Sequence, residues 1–233
     1  MNYVSEKIIP AVMPKSFDHL QEEMGRFVGL VPLVQVDVMD GKFTESKSWP
    51  YMNGTDSEFL KIINQEEGFP FWESLDVEAD LMVTDPAKAA DQWIAAGAAR
   101  IVVHLESAAP DEISSVLSSI KEKGIEAGLA VGLETSIEIF KDFYEKNREK
   151  IDSVQFMGIE KIGFQGQPFA EQVIERIKDF HDIYPDTVIA IDGGVNHESA
   201  PLLAEAGVTR LVIGSALREG SPEESIESFN VLL

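Results

Sequence analysis

Residues 100–131, RIVVHLESAAPDEISSVLSSIKEKGIEAGLAV, contain the unit from which the fold can be predicted. Two short apolar runs, at 100–105 and 126–131, flank a stretch whose apolar residues recur with the spacing of a helix. Pro110 suits the first turn of that helix, and Gly124 suits its end. The segment therefore predicts a β-strand, an α-helix and a second β-strand parallel to the first.

The same unit recurs along the whole chain, which predicts a parallel sheet. The eight predicted strands are 8–13, 33–38, 75–83, 100–105, 126–131, 153–157, 187–191 and 210–213. Eight consecutive units in 233 residues match an α/β fold of the (β/α)8 barrel type, with an open doubly wound sheet as the alternative. Because no stretch of linker composition interrupts the series, we expect residues 1–233 to form a single domain.

The composition excludes several kinds of partner. Lys and Arg number 19 against 41 Asp and Glu, a formal net charge of −22, which argues against nucleic acid and against an anionic membrane surface. The chain has no Cys, so a thiolate nucleophile and a Cys-ligated zinc site are excluded. With neither a signal-peptide pattern at the start nor a long apolar run, we expect a cytoplasmic protein.

Two aspartates stand out at the ends of predicted strands, which is where the functional residues of a (β/α)8 barrel lie. In QVDVMDGKF (35–43), the period of two places Gln35, Asp37 and Met39 on one face of the strand. Asp192 follows the apolar run IAI in IAIDGGVN (189–196). Two carboxylates facing one cavity suit a base that removes a proton and an acid that returns it. A cap or a salt bridge is the structural alternative for each.

Glycines cluster after the last three predicted strands, and glycine allows backbone N–H groups to approach an anion closely. These glycines, with the serine that follows the last one, are Gly163, Gly166, Gly193, Gly194, Gly214 and Ser215. Together they predict a phosphate cradle at the place where barrels commonly hold one.

Several segments resemble the ribulose-phosphate 3-epimerase family: IIPAVMP (8–14), DVMDGKF (37–43), GFQGQPF (163–169) and AIDGGVN (190–196). The resemblance implies a barrel of the ribulose-phosphate-binding type that interconverts D-ribulose 5-phosphate and D-xylulose 5-phosphate in the pentose phosphate pathway. It implies a cis-enediolate intermediate, with Asp37 and Asp192 as the acid and base, and association into a homo-oligomer. The further residues that it assigns to substrate are Met39, Met82, Met157 and Gln167, beside the glycines and serine above.

The family also implies a divalent metal, often zinc, held by two His and two Asp residues. In this chain Gln35 and Asp80 stand at the two His positions. The remaining set of Gln35, Asp37, Asp80 and Asp192 offers oxygen alone, which suits Mg²⁺ or Mn²⁺ better than Zn²⁺. A metal-free site, with Lys42 or Lys161 supplying the positive charge, is the alternative.

Other functions remain open from the sequence. A ketohexose 6-phosphate could replace the pentulose, and a metal-assisted aldolase, synthase or decarboxylase would use the same acidic pocket. A barrel that binds a sugar phosphate without turning it over would account for the missing imidazoles. His104 is most simply a strand residue near the barrel mouth, and the loop 44–56 either closes over the substrate or packs its aromatic residues.

Overall fold

The eight strands form a closed parallel barrel in which each strand pairs with the next and the eighth returns to the first. The computed structural model describes residues 7–218 and 220–233. The strands are β1 (Ile8–Val12), β2 (Leu33–Met39), β3 (Asp76–Met82), β4 (Arg100–His104), β5 (Glu126–Val131), β6 (Ser153–Met157), β7 (Val188–Asp192) and β8 (Arg210–Ile213). The predicted (β/α)8 barrel is therefore confirmed, and each predicted strand end lies within about one residue of the observed one.

Helices alternate with the strands around the outside of the barrel. They are α1 (Phe17–Gly25), α2 (Ser57–Ile63), α3 (Pro86–Ala96), α4 (Pro110–Glu122), α5 (Ile137–Asn147), α6 (Gln172–His181), α7 (Ser199–Glu205) and α8 (Pro222–Asn230). Capping side chains fix their starts: the Ser16 hydroxyl accepts a hydrogen bond from the His19 N–H, and Asp85 accepts one from the Lys88 N–H. Within the described ranges, no helix is both long and apolar enough to cross a bilayer.

The strands face two different environments. On β2, the valines at 34, 36 and 38 are buried against the surrounding helices, as the alternation predicts. Inside the barrel, Ile9, Ala11, Ala190 and Val212 on β1, β7 and β8 form a small apolar cluster. Polar side chains occupy several inward positions of β2, β3, β4 and β6, so the barrel interior offers ionisable groups.

Charges fill the barrel interior at both of its ends. At the amino end of the strands, Arg100 lies 2.6 Å from Glu78 and 2.8 Å from Glu126, so these charges are paired. At the carboxyl end, the acidic residues of β2, β3 and β7 converge. The charged side chains at the amino end thus form ion pairs, whereas the carboxyl end holds an excess of carboxylates.

The loop 44–56 forms part of the barrel wall. The Trp49 side chain is 1% exposed and its ring lies 5.2 Å from that of Phe59 and 6.1 Å from that of Trp93. The Ser48 hydroxyl accepts a hydrogen bond from the Met39 N–H and donates one to the Asp37 carbonyl oxygen. The Trp49 ring of this loop therefore packs into the core, and the loop fixes the end of β2.

Candidate active site

Three carboxylates meet at the carboxyl end of the barrel. The strand register places Asp37 of β2 directly beside Asp80 of β3, and Asp192 is the last residue of β7. One oxygen from each of the three lies within 4.8 Å of the others. Asp80 is fully buried and Asp37 is 7% exposed. Carboxylates held so closely in a buried site require donors or a cation between them.

Gln35 supplies a donor between two of these carboxylates. Its Nε2 donates a hydrogen bond of 2.9 Å to Asp37 Oδ1 and one of 2.8 Å to Asp192 Oδ2. The Gln35 Oε1 is buried and has no hydrogen-bond partner among the described residues. A second amide, Gln155 Nε2 on β6, lies 3.4 Å from Asp80 Oδ2 and 3.5 Å from Asp192 Oδ2, which is long for a hydrogen bond. One amide nitrogen thus links Asp37 to Asp192.

The imidazole of His104, at the end of β4, binds the third carboxylate. His104 Nε2 lies 2.9 Å from Asp80 Oδ1, and neither side chain is exposed to solvent. The ring of Phe43 covers the imidazole at 5.5 Å. Burial opposes the charged imidazole, but the charge and hydrogen bond of Asp80 outweigh burial and raise the pKa of His104. The pair counters the negative charge beside Asp37 and Asp192.

The surroundings of Asp37 and Asp192 raise the pKa values of both carboxyl groups. Burial, followed by repulsion from Asp192 and Asp80, raises the pKa of Asp37 well above its usual value. Burial, followed by repulsion from Asp80, raises the pKa of Asp192 to about 7, although the hydrogen bond from Gln35 opposes this rise. Near neutral pH the pair can therefore hold one proton between them. One ionised carboxylate and one protonated carboxyl group are what a two-residue proton transfer needs.

A cavity above the carboxylates contains most of the residues that the sequence singled out. Those on its wall are Asp37, Asp192, Met82, Met157, Gly163, Gly166, Gln167, Gly193, Gly194, Gly214 and Ser215. Gln35 and Asp80 lie beneath this surface, fully buried. Met39 is also fully buried and does not contribute to the wall; its sulfur packs close to Gly163. The two aspartates thus share one cavity with the glycine loops.

The glycines after β7 are required by the packing of two loops. Gly194 has a φ of +69°, and a Cβ there would lie 2.6 Å from the Phe169 Cα, a backbone atom of the loop after β6. Gly193 has a φ of +98°, and its Cβ would meet the side chain of Ile159. Because side chains are excluded at both positions, the two loops approach backbone to backbone at the cavity edge. This approach lies where the sequence predicts the phosphate cradle.

The two lysines considered from the sequence lie away from the cavity. Lys161 Nζ is 2.9 Å from a carboxylate oxygen of Glu45 and lies over the Phe164 ring. Lys42 is exposed. Among the residues that line the cavity, all of them in the described ranges, there is no Lys or Arg. The basic side chain in contact with a carboxylate of the site is His104 instead.

Sequence reasoning missed Gln155 and Gln165. Gln155 interrupts the apolar run SVQFM of β6, as Gln35 interrupts the apolar alternation of β2, so the same signal could have found it. Gln165 lines the cavity and occupies the variable position of the segment GFQGQ (163–167), where nothing in the alternation marks it.

A (β/α)8 barrel with an aspartate pair at its mouth, raised in pKa and beside a glycine-built cradle, defines a barrel enzyme equipped for proton transfer on a small anion. The model of the ribulose-phosphate 3 epimerase family matches residues 7–218, and the chain belongs to that family. The family is one of isomerases that act on carbohydrates, so the class of enzyme expected from the sequence is confirmed at this level.

Individual proteins agree with the family assignment. The ribulose-phosphate 3-epimerase of Schizosaccharomyces pombe is 29% identical over 227 residues, covering 96% of this chain and 92% of the relative. That of Aquifex aeolicus is 32% identical over 195 residues, covering 81% of this chain and 78% of the relative. A 3-hexulose-6-phosphate synthase structure from Salmonella typhimurium superposes with a TM-score of 0.68 at 16% identity, covering 97% of this chain and 98% of that one. This last likeness concerns the fold.

The oxygen atoms of the site fit a hard divalent cation. Three carboxylates lie within reach of one centre, and the amide oxygen of Gln35 is buried without a partner beside two of them. His104 Nε2 forms a hydrogen bond with Asp80, so the atoms left to bind a metal ion are oxygens. Carboxylate and amide oxygens are the ligands that Mg²⁺ and Mn²⁺ prefer. The aspartate triad could therefore hold a metal ion.

Proposed function

We propose that this protein is a phosphosugar 3-epimerase that interconverts D-ribulose 5-phosphate and D-xylulose 5-phosphate. One observation carries the proposal. Asp37 and Asp192 line the same cavity, are joined through a single Gln35 nitrogen, and both have a raised pKa. The family membership and the similarity to the ribulose-phosphate 3-epimerase of Schizosaccharomyces pombe support this substrate.

The two aspartates divide one proton transfer between them. The ionised carboxylate removes the proton from carbon 3, and the electron pair of the broken C–H bond moves to form the enediolate, with negative charge on the carbonyl oxygen at carbon 2. The protonated carboxyl group on the other face of the substrate then gives its proton to carbon 3, and the carbonyl group re-forms. One turnover exchanges the protonation states of Asp37 and Asp192, and the reverse reaction restores them.

Gln35 and His104 maintain the state from which this transfer starts. The Gln35 N–H groups hold the two carboxylates at 2.9 and 2.8 Å without supplying a net charge, so either one can carry the proton. The His104 imidazole forms a hydrogen bond with the third carboxylate, that of Asp80. The third carboxylate is thus held by an imidazole rather than by Gln35.

We further propose a divalent metal of the Mg²⁺ or Mn²⁺ kind, with Asp37, Asp80, Asp192 and the Gln35 amide oxygen as the residues that would hold it. When bound, it would act as a Lewis acid that stabilises the negative charge of the enediolate. In its absence, the N–H groups of Gln35 and Gln155 are the amide donors nearest to the carboxylates, beside the His104 imidazole. Neutral donors stabilise a developing charge less than a cation does.

The glycine loops bind the phosphate end of the substrate in this proposal. The residues concerned line the same cavity as Asp37; they are Gly163, Gly166, Gln167, Gly193, Gly194, Gly214 and Ser215. Backbone N–H groups and a hydroxyl can donate to phosphate oxygens without any positive side chain. Met82 and Met157 provide apolar surface for the carbon chain.

The test is conversion of D-ribulose 5-phosphate by the purified protein, followed by NMR before and after chelation and with Mg²⁺ or Mn²⁺ restored. We expect xylulose 5-phosphate to form, with activity lost on chelation and recovered with either ion. Asp37→Asn and Asp192→Asn should each lower kcat by roughly 10²–10⁴-fold while the sugar phosphate still binds. Binding of the sugar phosphate by wild-type protein without any turnover would contradict the epimerase and indicate a binding barrel.

A further inference from the structure

Gln165 lines the cavity, and its side-chain amide carries a hydrogen-bond donor for which the described part of the protein offers no acceptor. Its Nε2 is buried and has no hydrogen-bond partner within the described ranges. Among residues 7–218 and 220–233, no other residue lining the cavity has such a buried side-chain nitrogen or oxygen. Since buried donors in folded proteins are nearly always paired, an unpaired one facing a cavity indicates a partner that comes from outside the chain.

A neighbouring glycine makes room for this amide. The φ of Gly214 lies outside the left-handed region, so its backbone conformation does not require glycine. A Cβ at this position would instead lie 3.2 Å from Gln165 Nε2, a closer approach than side chains normally make. Gly214 therefore keeps open the space that the amide occupies, and the amide lies between the loops that follow β6 and β8.

The charges around the cavity determine what the missing partner is. In the part of the chain that the structure describes, the charged residues that line the cavity are Asp37 and Asp192, and both are acidic. An N–H group provides nothing for a cation, whereas a phosphate oxygen accepts hydrogen bonds readily. Without a lysine or arginine on the wall, an anion must be bound by neutral donors, and each of them then contributes a large share of the affinity.

We propose that the Gln165 side-chain amide donates a hydrogen bond to the phosphate group of the substrate and so helps to select phosphorylated sugars. This inference rests on the proposed function for the identity of the substrate, but not for the binding of an anion. It makes Gln165 a specificity-determining residue that acts through Nε2, beside the backbone donors of the glycine loops.

The test compares Gln165→Leu, which keeps much of the bulk and removes the N–H groups, with Gln165→Glu, which adds a negative charge. Gln21→Leu on the exposed face of α1 is the matched control. The probes are inorganic phosphate, titrated by ³¹P NMR, and D-ribulose 5-phosphate in the conversion assay. Loss of one hydrogen bond to a charged group predicts about tenfold weaker binding of inorganic phosphate and about a tenfold higher KM in Gln165→Leu, with kcat unchanged.

Gln165→Glu should weaken the binding of inorganic phosphate and raise the KM further than Gln165→Leu does. Gln21→Leu should match the wild type. Unchanged phosphate affinity in Gln165→Leu would overturn the inference. So would an equal loss of deuterium exchange into D-ribulose, which has no phosphate, because Gln165 would then merely support the loop. If phosphate binding weakens as expected but the wild type converts no D-ribulose 5-phosphate, the proposed epimerase is wrong and the role of Gln165 stands. If the wild type converts D-ribulose 5-phosphate but the KM of Gln165→Leu is unaltered, the proposed epimerase stands and the role of Gln165 is wrong.

Discussion

At the scale of single residues, the catalytic proposal depends on two carboxyl groups whose pKa values burial and mutual repulsion raise. Such groups lower the stability of the folded state once they ionise. An unfolded Asp has a pKa near 3.9, whereas that of Asp192 in the folded protein is about 7. The folded state therefore binds more protons than the unfolded state between these two values.

The free energy of unfolding of the chelated protein should consequently fall as the pH rises from about 4 to about 7. Asp192→Asn removes one ionisation, so this variant should be more stable than the wild type at pH 8, by on the order of 2 kcal/mol. Urea unfolding at several pH values measures the difference. Asp179→Asn, on the exposed face of α6, is the control and should follow the wild type. A wild type whose stability rises over this pH range would contradict the raised pKa values.

The choice of metal is also decided by single residues. Gln35→His places an imidazole beside Asp37 and Asp192, and nitrogen ligands favour Zn²⁺ over Mn²⁺ more strongly than oxygen ligands do. We expect the ratio of Zn²⁺ affinity to Mn²⁺ affinity to rise by roughly tenfold or more in this variant. Release of bound Mn²⁺ on titration with Zn²⁺, followed by electron paramagnetic resonance, gives the ratio. An unchanged ratio would show that Gln35 is not at the metal.

At the scale of elements, the contact between the loops after β6 and β7 carries the phosphate cradle. Gly194→Ala should strain a backbone with a φ of +69° and drive a methyl group against the Phe169 backbone. Gly124→Ala is the matched control, since Gly124 has a φ of +76° and open space around it.

Both variants should lose about 1–2 kcal/mol of stability through the left-handed conformation. Only Gly194→Ala should also raise the KM for D-ribulose 5-phosphate, because only there does the loop have to move. Thermal unfolding and initial rates separate the two effects. Equal KM values in the two variants would show that this loop contact does not shape the cradle.

The elements were predictable from the sequence because each signal is local. Strand alternation, helix caps such as Ser16 and a positive-φ glycine such as Gly97 act within a few residues of themselves. The strand-end position of Asp37 and Asp192 follows from the same periodicity. Their meeting in one cavity follows from the closure of the barrel, which the count of eight strands predicts.

The hydrogen bonds of the site were not predictable, since they depend on distances across the barrel. The sequence identifies Gln35 as a candidate ligand but not as the donor that joins Asp37 to Asp192. Nor does it show that His104 binds Asp80 from the next strand. Met39 shares the alternation of Asp37, yet it packs behind Gly163, because a side chain at the last position of a strand depends on how the loops close over it.

At the scale of the whole molecule, the net charge of −22 acts against an anionic substrate. Added salt screens this repulsion, since the Debye length falls from about 30 Å at 0.01 M to about 8 Å at 0.15 M. We therefore expect the KM for D-ribulose 5-phosphate to fall as ionic strength rises over this range, at constant free metal concentration. A KM that rises with salt would indicate attraction, and hence a positive side chain at the site.

In the proposed mechanism, one aspartate takes the proton that leaves carbon 3, and the other aspartate supplies the proton that arrives. The most direct test is early turnover of D-ribulose 5-phosphate in D₂O, with NMR reporting deuterium at carbon 3 of both the product and the remaining substrate. We predict that deuterium appears in xylulose 5-phosphate while the unreacted D-ribulose 5-phosphate still carries hydrogen, because the arriving proton comes from an acid that has equilibrated with solvent. Deuterium entering both sugars at the same rate from the outset, or product that keeps the hydrogen of the substrate, would contradict the two-aspartate mechanism.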